Sequence, residues 1–219
     1  MSSFPHPESA GRLHVLTDFT FQQRLSHAEL ATRAADGGAD VIQFRQKSGA
    51  VRIRLHGAEE TAAACRAAGV PLLVNDAVDL ALAVEAAGVH LGQRDLPVDA
   101  ARRILGPDAI IGATVTNVAQ ARAAEAAGAS YLGFGPVFTT RSKRNPASVK
   151  GTEGLAAVCA AVSIPVVGIA GITPERVRPV LEAGAHGVAV MTAITTAPDP
   201  TAATAAFRAE IDAFLAEQL

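Results

Sequence analysis

The chain has 219 residues, 49% apolar and 18% charged, with a net charge of −2 from 19 basic and 21 acidic side chains. That apolar share excludes a disordered chain, and no apolar run reaches the roughly 18 residues of a membrane span. The near-balance of charge excludes a broad electrostatic footprint for nucleic acid.

Residues 1–10 lack a basic start followed by an apolar stretch, so they read as a flexible tail rather than a signal peptide. From residue 11 to 219 the sequence reads as one domain without a linker. Strand-like runs fall at Arg12–Thr17, Asp40–Phe44, Pro71–Val74, Val89–Leu91, Ala109–Ala113, Ser130–Phe134, Pro165–Ile169 and Gly187–Met191. Helical runs alternate with them at His27–Asp36, Val51–Ala68, Ala77–Ala87, Val98–Ile104, Val118–Ala127, Thr152–Ala161, Pro174–Ala183 and Pro200–Glu217. The phrase Ala-Ala-Gly or Glu-Ala-Gly closes four of these helices, at Gly69, Gly88, Gly128 and Gly184, where glycine suits the left-handed position past a helix end. The strands are continuous apolar runs, as parallel strands covered on both faces should be. Eight strict alternations predict an α/β fold, a single-domain (β/α)8 TIM barrel. An open doubly wound sheet is the alternative, but the first turn, Thr17-Asp18-Phe19-Thr20, lacks the expected glycines.

Barrels of this kind build their sites at the C-terminal ends of the strands. The residues there are Gln43, Arg45 and Lys47, then Asn75 and Asp76, then Gln93, Arg94 and Asp95, then Thr114 and Thr116. Thr139, Thr140, Ser142 and Lys143 follow the sixth strand, Ala170 and Gly171 the seventh, and Met191 and Thr192 the eighth. Arg45 and Lys47 suit an anion clamp. Asp76 and Asp95 at adjacent strand ends suit a magnesium site, although Asp76 also reads as the N-cap of the next helix. The irregular stretch 138–151 reads as a phosphate-binding lid. Backbone amides near Gly171 and Thr192 suit a second anion. Cys65 and Cys159 read as small buried residues of a reducing, cytoplasmic compartment, and the six histidines show no zinc spacing. His14 and His90, inside strands, read as core residues. No GxSxG elbow is present.

Several segments together resemble one family. They are Gln43–Lys47 (Gln-Phe-Arg-Gln-Lys), Val74–Leu82, Gly88–Leu96, Gly133–Lys143, Pro165–Ile172 and Gly187–Ile194. In this order they resemble thiamine-phosphate synthases and their thiazole tautomerase relatives, over about Leu13 to Phe214. The resemblance implies a magnesium-dependent transferase for two small phosphorylated substrates, with neither nucleic acid nor membrane as partner. It would join hydroxymethylpyrimidine diphosphate to thiazole phosphate, through a dissociative step. Arg45, Lys47 and Asn75 would then hold the diphosphate, Asp76 and Asp95 the Mg2+. Lys143, Thr114 and Arg45 form the expected catalytic set. Thr140, Ser142 and the backbone at Gly171 and Thr192 would hold the thiazole phosphate, and Gln43 and Met191 complete the substrate-binding set. The chain departs from the family pattern at Gln46, Ala77, Arg94, Thr139 and Ala170. A tautomerase lacks the two carboxylates and uses a histidine where Thr116 stands here. A non-catalytic paralogue is a third reading. Self-association into a homo-oligomer is left open.

Overall fold

Each strand-like run pairs in parallel with the next, and the last pairs with the first. The computed structural model describes residues 10–140 and 148–218. The strands are β1 (Leu13–Thr17), β2 (Val41–Phe44), β3 (Leu72–Asn75), β4 (Gly88–Leu91), β5 (Ile110–Val115), β6 (Tyr131–Phe134), β7 (Val166–Ile169) and β8 (Gly187–Val190). They form a closed barrel in sequence order, with His14 opposite Val41 and Leu13 opposite Val188 at the closure. The helices are α1 (His27–Asp36), α2 (Val51–Ala68), α3 (Val78–Ala83), α4 (Val98–Leu105), α5 (Val118–Ala126), α6 (Gly151–Cys159), α7 (Pro174–Glu182), α8 (Thr192–Thr195) and α9 (Pro200–Ala216). The fold is the expected (β/α)8 barrel, not the open sheet. No helix among the described residues is long and apolar enough to cross a membrane.

Local chemistry sets many boundaries. Ser26 caps α1 with a reciprocal box: Glu29 N–H donates to Ser26 Oγ at 3.1 Å, and Ser26 N–H donates to Glu29 Oε2 at 2.7 Å. His27, Leu30, Ala31 and Ala34 then recur at helical spacing on its buried face. Asn117 caps α5 and Asp199 caps α9, with Pro200 at the first helical position. Gly69, Gly128 and Gly184 follow helix ends with positive φ, as expected.

The phrase ending at Gly88 behaves differently. α3 stops at Ala83, and Gly88 opens β4 instead of closing a helix. A Cβ at Gly88 would overlap the Ile110 carbonyl, so tertiary packing requires the glycine. Most other boundaries shift by only one or two residues. α8 is an extra short helix after β8, and α6 begins one residue early.

Alternate strand residues face two cores. Val15, Ile42, Val74, Leu91, Ile111 and Leu132 point outward to the helices, where Ala31, Ala34 and Ala58 let them approach closely. Val41, Leu73, Ile110, Tyr131 and Val167 fill the barrel interior together with Ala10. Of the tail expected over residues 1–10, Ala10 alone is described, and it is buried. Full burial of each large aliphatic side chain contributes about 1.5–3 kcal/mol. The interior is not filled to the top, because β4, β5 and β6 carry Gly88, Gly112 and Gly133 on their inward face. A Cβ at Gly112 would lie 2.5 Å from His90 Nδ1, and one at Gly133 would lie 2.9 Å from His90 Cε1. Gly112 and Gly133 make room for the rings of His90 and Tyr131, which floor an open cavity above.

Candidate active site

The cavity has a volume of about 410 Å³ and opens at the C-terminal ends of the strands. Gln43, Arg45, Lys47, Asn75, Asp76, Asp95, Thr114, Thr140, Gly171, Met191 and Thr192 all line it, so these sequence candidates share one site. Ser142 and Lys143 lie outside the described residues.

The charged side is built from paired groups. Arg45 and Lys47 follow the end of β2. The Arg45 guanidinium donates to Asp18 Oδ2, and the Asp18 side chain is 1% exposed. Asp18 is fixed in turn by the Thr20 N–H, 2.5 Å from its Oδ1. The Lys47 ammonium pairs with Asp76. Asp76 has φ 66°, an uncommon value for a residue with a side chain. Its N–H donates to the His90 carbonyl at 2.9 Å, which anchors the turn. It does not cap α3, whose N-cap is Ala77 without a side-chain bond. The alternative role as an N-cap is therefore corrected: Asp76 turns toward the cavity and Lys47.

Asp95 Oδ2 accepts the Gly92 N–H at 2.7 Å. Its carboxyl is held above the usual carboxylate range, first by burial and then by hydrogen bonding with the neighbouring Asp76 carboxyl. Two carboxyls pressed together beside Asn75 and Gln93 offer only hard oxygen donors, which fits a magnesium ion. Among the described residues no group of three or more His, Cys, Asp or Glu side chains gathers as a metal cage. Magnesium does not need one, since it is usually held by one or two carboxylates with water and substrate phosphate.

The floor is more polar than the sequence suggested. His14 and His90 are buried, as expected of core residues, and with Tyr131 they also line the cavity floor. His90 Nδ1 lies 2.8 Å from the Tyr131 hydroxyl, and its Nε2 lies 2.8 Å from Thr114 Oγ1. Gln93 Nε2 donates to the Thr114 carbonyl at 2.6 Å. Gln43 Oε1 and His14 Nδ1 are buried without a hydrogen-bond partner among the described residues. Such atoms are costly unless a ligand or water meets them. Burial pulls the His14 pKa down to about 4, so the ring is neutral at pH 7. The signal for these residues was strand parity: His90 faces inward with Gly88 on the same strand.

The opposite wall comprises Ala170, Gly171, Ile172, Met191, Thr192 and Ala193. Ala170 and Gly171 both have positive φ, 74° and 68°. A Cβ at Gly171 would come within 2.5 Å of the Thr139 carbonyl and 2.8 Å of Phe138 Cβ. The loop after β6 therefore packs directly on this turn. Arg176 bolts it down, donating to the Gly171 carbonyl at 2.7 Å while its guanidinium lies 4.8 Å from the Phe138 ring centre. Thr116 lines the cavity too, but Gln120 Oε1 accepts from both its N–H and its hydroxyl, at 2.8 and 3.0 Å.

Known proteins share this architecture and sequence. The family model described as thiamine monophosphate synthase matches residues 13–194. A thiamine-phosphate synthase of Salinibacter ruber is 59% identical over 96% of this chain and 92% of its own length. One from Haloquadratum walsbyi is 49% identical over 85% of each chain. The solved structure of a thiamine phosphate pyrophosphorylase from Pyrococcus furiosus superposes with a TM-score of 0.84 at 38% identity, covering 93% of this chain and 96% of that one. By its barrel, its rim residues and these matches, the chain belongs to the thiamine monophosphate synthase family.

Proposed function

We propose that the chain is a thiamine-phosphate synthase, a transferase that joins hydroxymethylpyrimidine diphosphate to thiazole phosphate and releases pyrophosphate. The observation that carries this reading is the mixed-charge rim, where Arg45 and Lys47 stand beside the facing carboxyls of Asp76 and Asp95. A diphosphate without its metal would need cations only. A magnesium diphosphate needs both signs, side by side.

Asp76 and Asp95 would hold the ion. A bound magnesium would neutralise the diphosphate and make it a better leaving group. Arg45, pinned by Asp18, and Lys47 grip the diphosphate oxygens as charge collects on them. Asn75 adds a neutral donor. The bond between the pyrimidine methylene carbon and the diphosphate oxygen breaks, and that electron pair leaves with pyrophosphate. Positive charge spreads over the methylene carbon and the pyrimidine ring. The thiazole nitrogen then donates its lone pair to that carbon. Gln43 Oε1, buried and without a hydrogen-bond partner among the described residues, accepts from a ring-borne amine and orients the pyrimidine. The apolar parts of the wall, including Ile169 and Ala189, keep water from the cation. The turn at Ala170–Gly171 and the backbone at Met191–Thr192 hold the thiazole phosphate across the cavity, with Thr140. Ser142 and Lys143 are assigned to the two phosphate groups by motif. We place the enzyme in a reducing cytoplasm, in keeping with Cys65 and Cys159, which are both free.

Incubation with both precursors and Mg2+ tests the reading. Thiamine phosphate, read as thiochrome fluorescence after oxidation, is the expected product. Binding of the precursors without turnover would instead favour a non-catalytic paralogue.

A further inference from the structure

The Tyr131–His90–Thr114 chain joins three strands at the cavity floor, and its parts constrain one another. Tyr131 is 1% exposed, and burial holds its phenol well above the ordinary range, so it keeps its proton. A buried hydroxyl must donate to something. Among the described residues the acceptor within reach is His90 Nδ1, at 2.8 Å. If Nδ1 accepts, the neutral imidazole carries its proton on Nε2. Nε2 then donates to Thr114 Oγ1, also at 2.8 Å. The reverse polarity would leave the Tyr131 hydroxyl with no protein acceptor among the described residues. Glycines on both sides hold the geometry, since side chains at Gly112 or Gly133 would strike the His90 ring.

We propose that Tyr131 and His90 are positioning residues that fix Thr114 Oγ1 as an acceptor from His90, so that the threonine proton is turned toward the substrate in the cavity. Thr114 is then a dedicated donor, set before substrate arrives. Such a donor strengthens as negative charge develops on a departing group, so it acts on kcat more than on KM. This inference rests on the synthase reading for what Thr114 touches, but the polarity of the relay does not.

Two measurements test it. The first is the tautomer of His90, read from long-range nitrogen–proton correlations of the side chain in the full-length protein. A proton on Nε2 and a bare Nδ1 are expected. A proton on Nδ1 overturns the proposal, whether or not the protein proves to be a synthase. The second is a double-mutant cycle. Tyr131→Phe, which keeps the ring's volume, should lower kcat about tenfold with KM for the diphosphate substrate within about twofold. In a Thr114→Val background the same change should lower kcat less than about twofold, because the group it acts through is gone. Equal factors in both backgrounds overturn the relay. An inactive wild-type enzyme overturns the synthase reading instead, and the tautomer still decides the polarity.

Discussion

At the scale of residues, the site joins two ion pairs to one pair of like-charged carboxyls. Arg45 has Asp18, Lys47 has Asp76, and Asp76 presses on Asp95. Removing a member should therefore affect what its partner does. Asp95→Asn removes one of the two carboxylates proposed to hold the metal and should lower kcat by about 100-fold, near 3 kcal/mol of transition-state stabilisation. Steady-state rates across a magnesium titration check this, and unchanged turnover at saturating magnesium would contradict the assignment. Asp18→Asn frees the Arg45 guanidinium from its fixed position. KM for the diphosphate substrate should rise about tenfold, whereas an unaltered KM would show that Asp18 does not set Arg45. The Arg45 and Lys47 candidates were legible because they directly follow a strand. Asp18 was not, because its partner lies 27 residues away in a loop the barrel brings close. His90 was legible as a buried residue within an apolar run, but its place on the cavity floor was not, because its partners on β5 and β6 are distant in sequence.

At the scale of elements, alternation and helix ends were the readable parts. Strands covered on both faces carry uninterrupted apolar runs, and helices ending at Gly69, Gly128 and Gly184 carry a residue that tolerates positive φ. The same Ala-Ala-Gly phrase at Gly88 misled, because the demand there is steric and comes from Ile110 on the next strand. A pair of substitutions separates the two uses. Gly69→Ala meets nothing within 4 Å and should cost about 1 kcal/mol, the strain of a left-handed alanine. Gly88→Ala should cost more than about 3 kcal/mol or prevent folding, as overlap with backbone cannot be relieved by a rotamer. Urea unfolding of both variants is the check, and equal losses would refute the distinction. The short α8 escaped notice because four residues give no periodicity to read.

At the scale of the whole molecule, the barrel buries polar groups that are tolerated only while neutral. His14 on β1 and His27 at the start of α1 both have pKa values pulled from 6.5 to about 4 by burial. The unfolded chain takes up protons at these rings near pH 6.5, and the folded chain resists until about pH 4. Their effect on stability is thus nil above about pH 7 and grows more unfavourable as pH falls between these values. By pH 5 it should reach about 2 kcal/mol for each ring. Urea midpoints at pH 7.5 and pH 5 should fall accordingly, and a midpoint independent of pH in that window would show that the rings are not buried as described. The near-zero net charge of the chain conceals this internal arrangement: it argued against nucleic acid, but it gave no hint of a cavity where both signs meet.

On the proposed function, this cavity couples loss of diphosphate to capture by the thiazole. The direct measurement is the stoichiometry of products when the enzyme is given both precursors and Mg2+. Thiamine phosphate and pyrophosphate are expected in a one-to-one ratio, formed only when both precursors and the metal are present. Pyrophosphate without thiamine phosphate, or isomerisation of a carboxythiazole phosphate with no pyrophosphate at all, would contradict it.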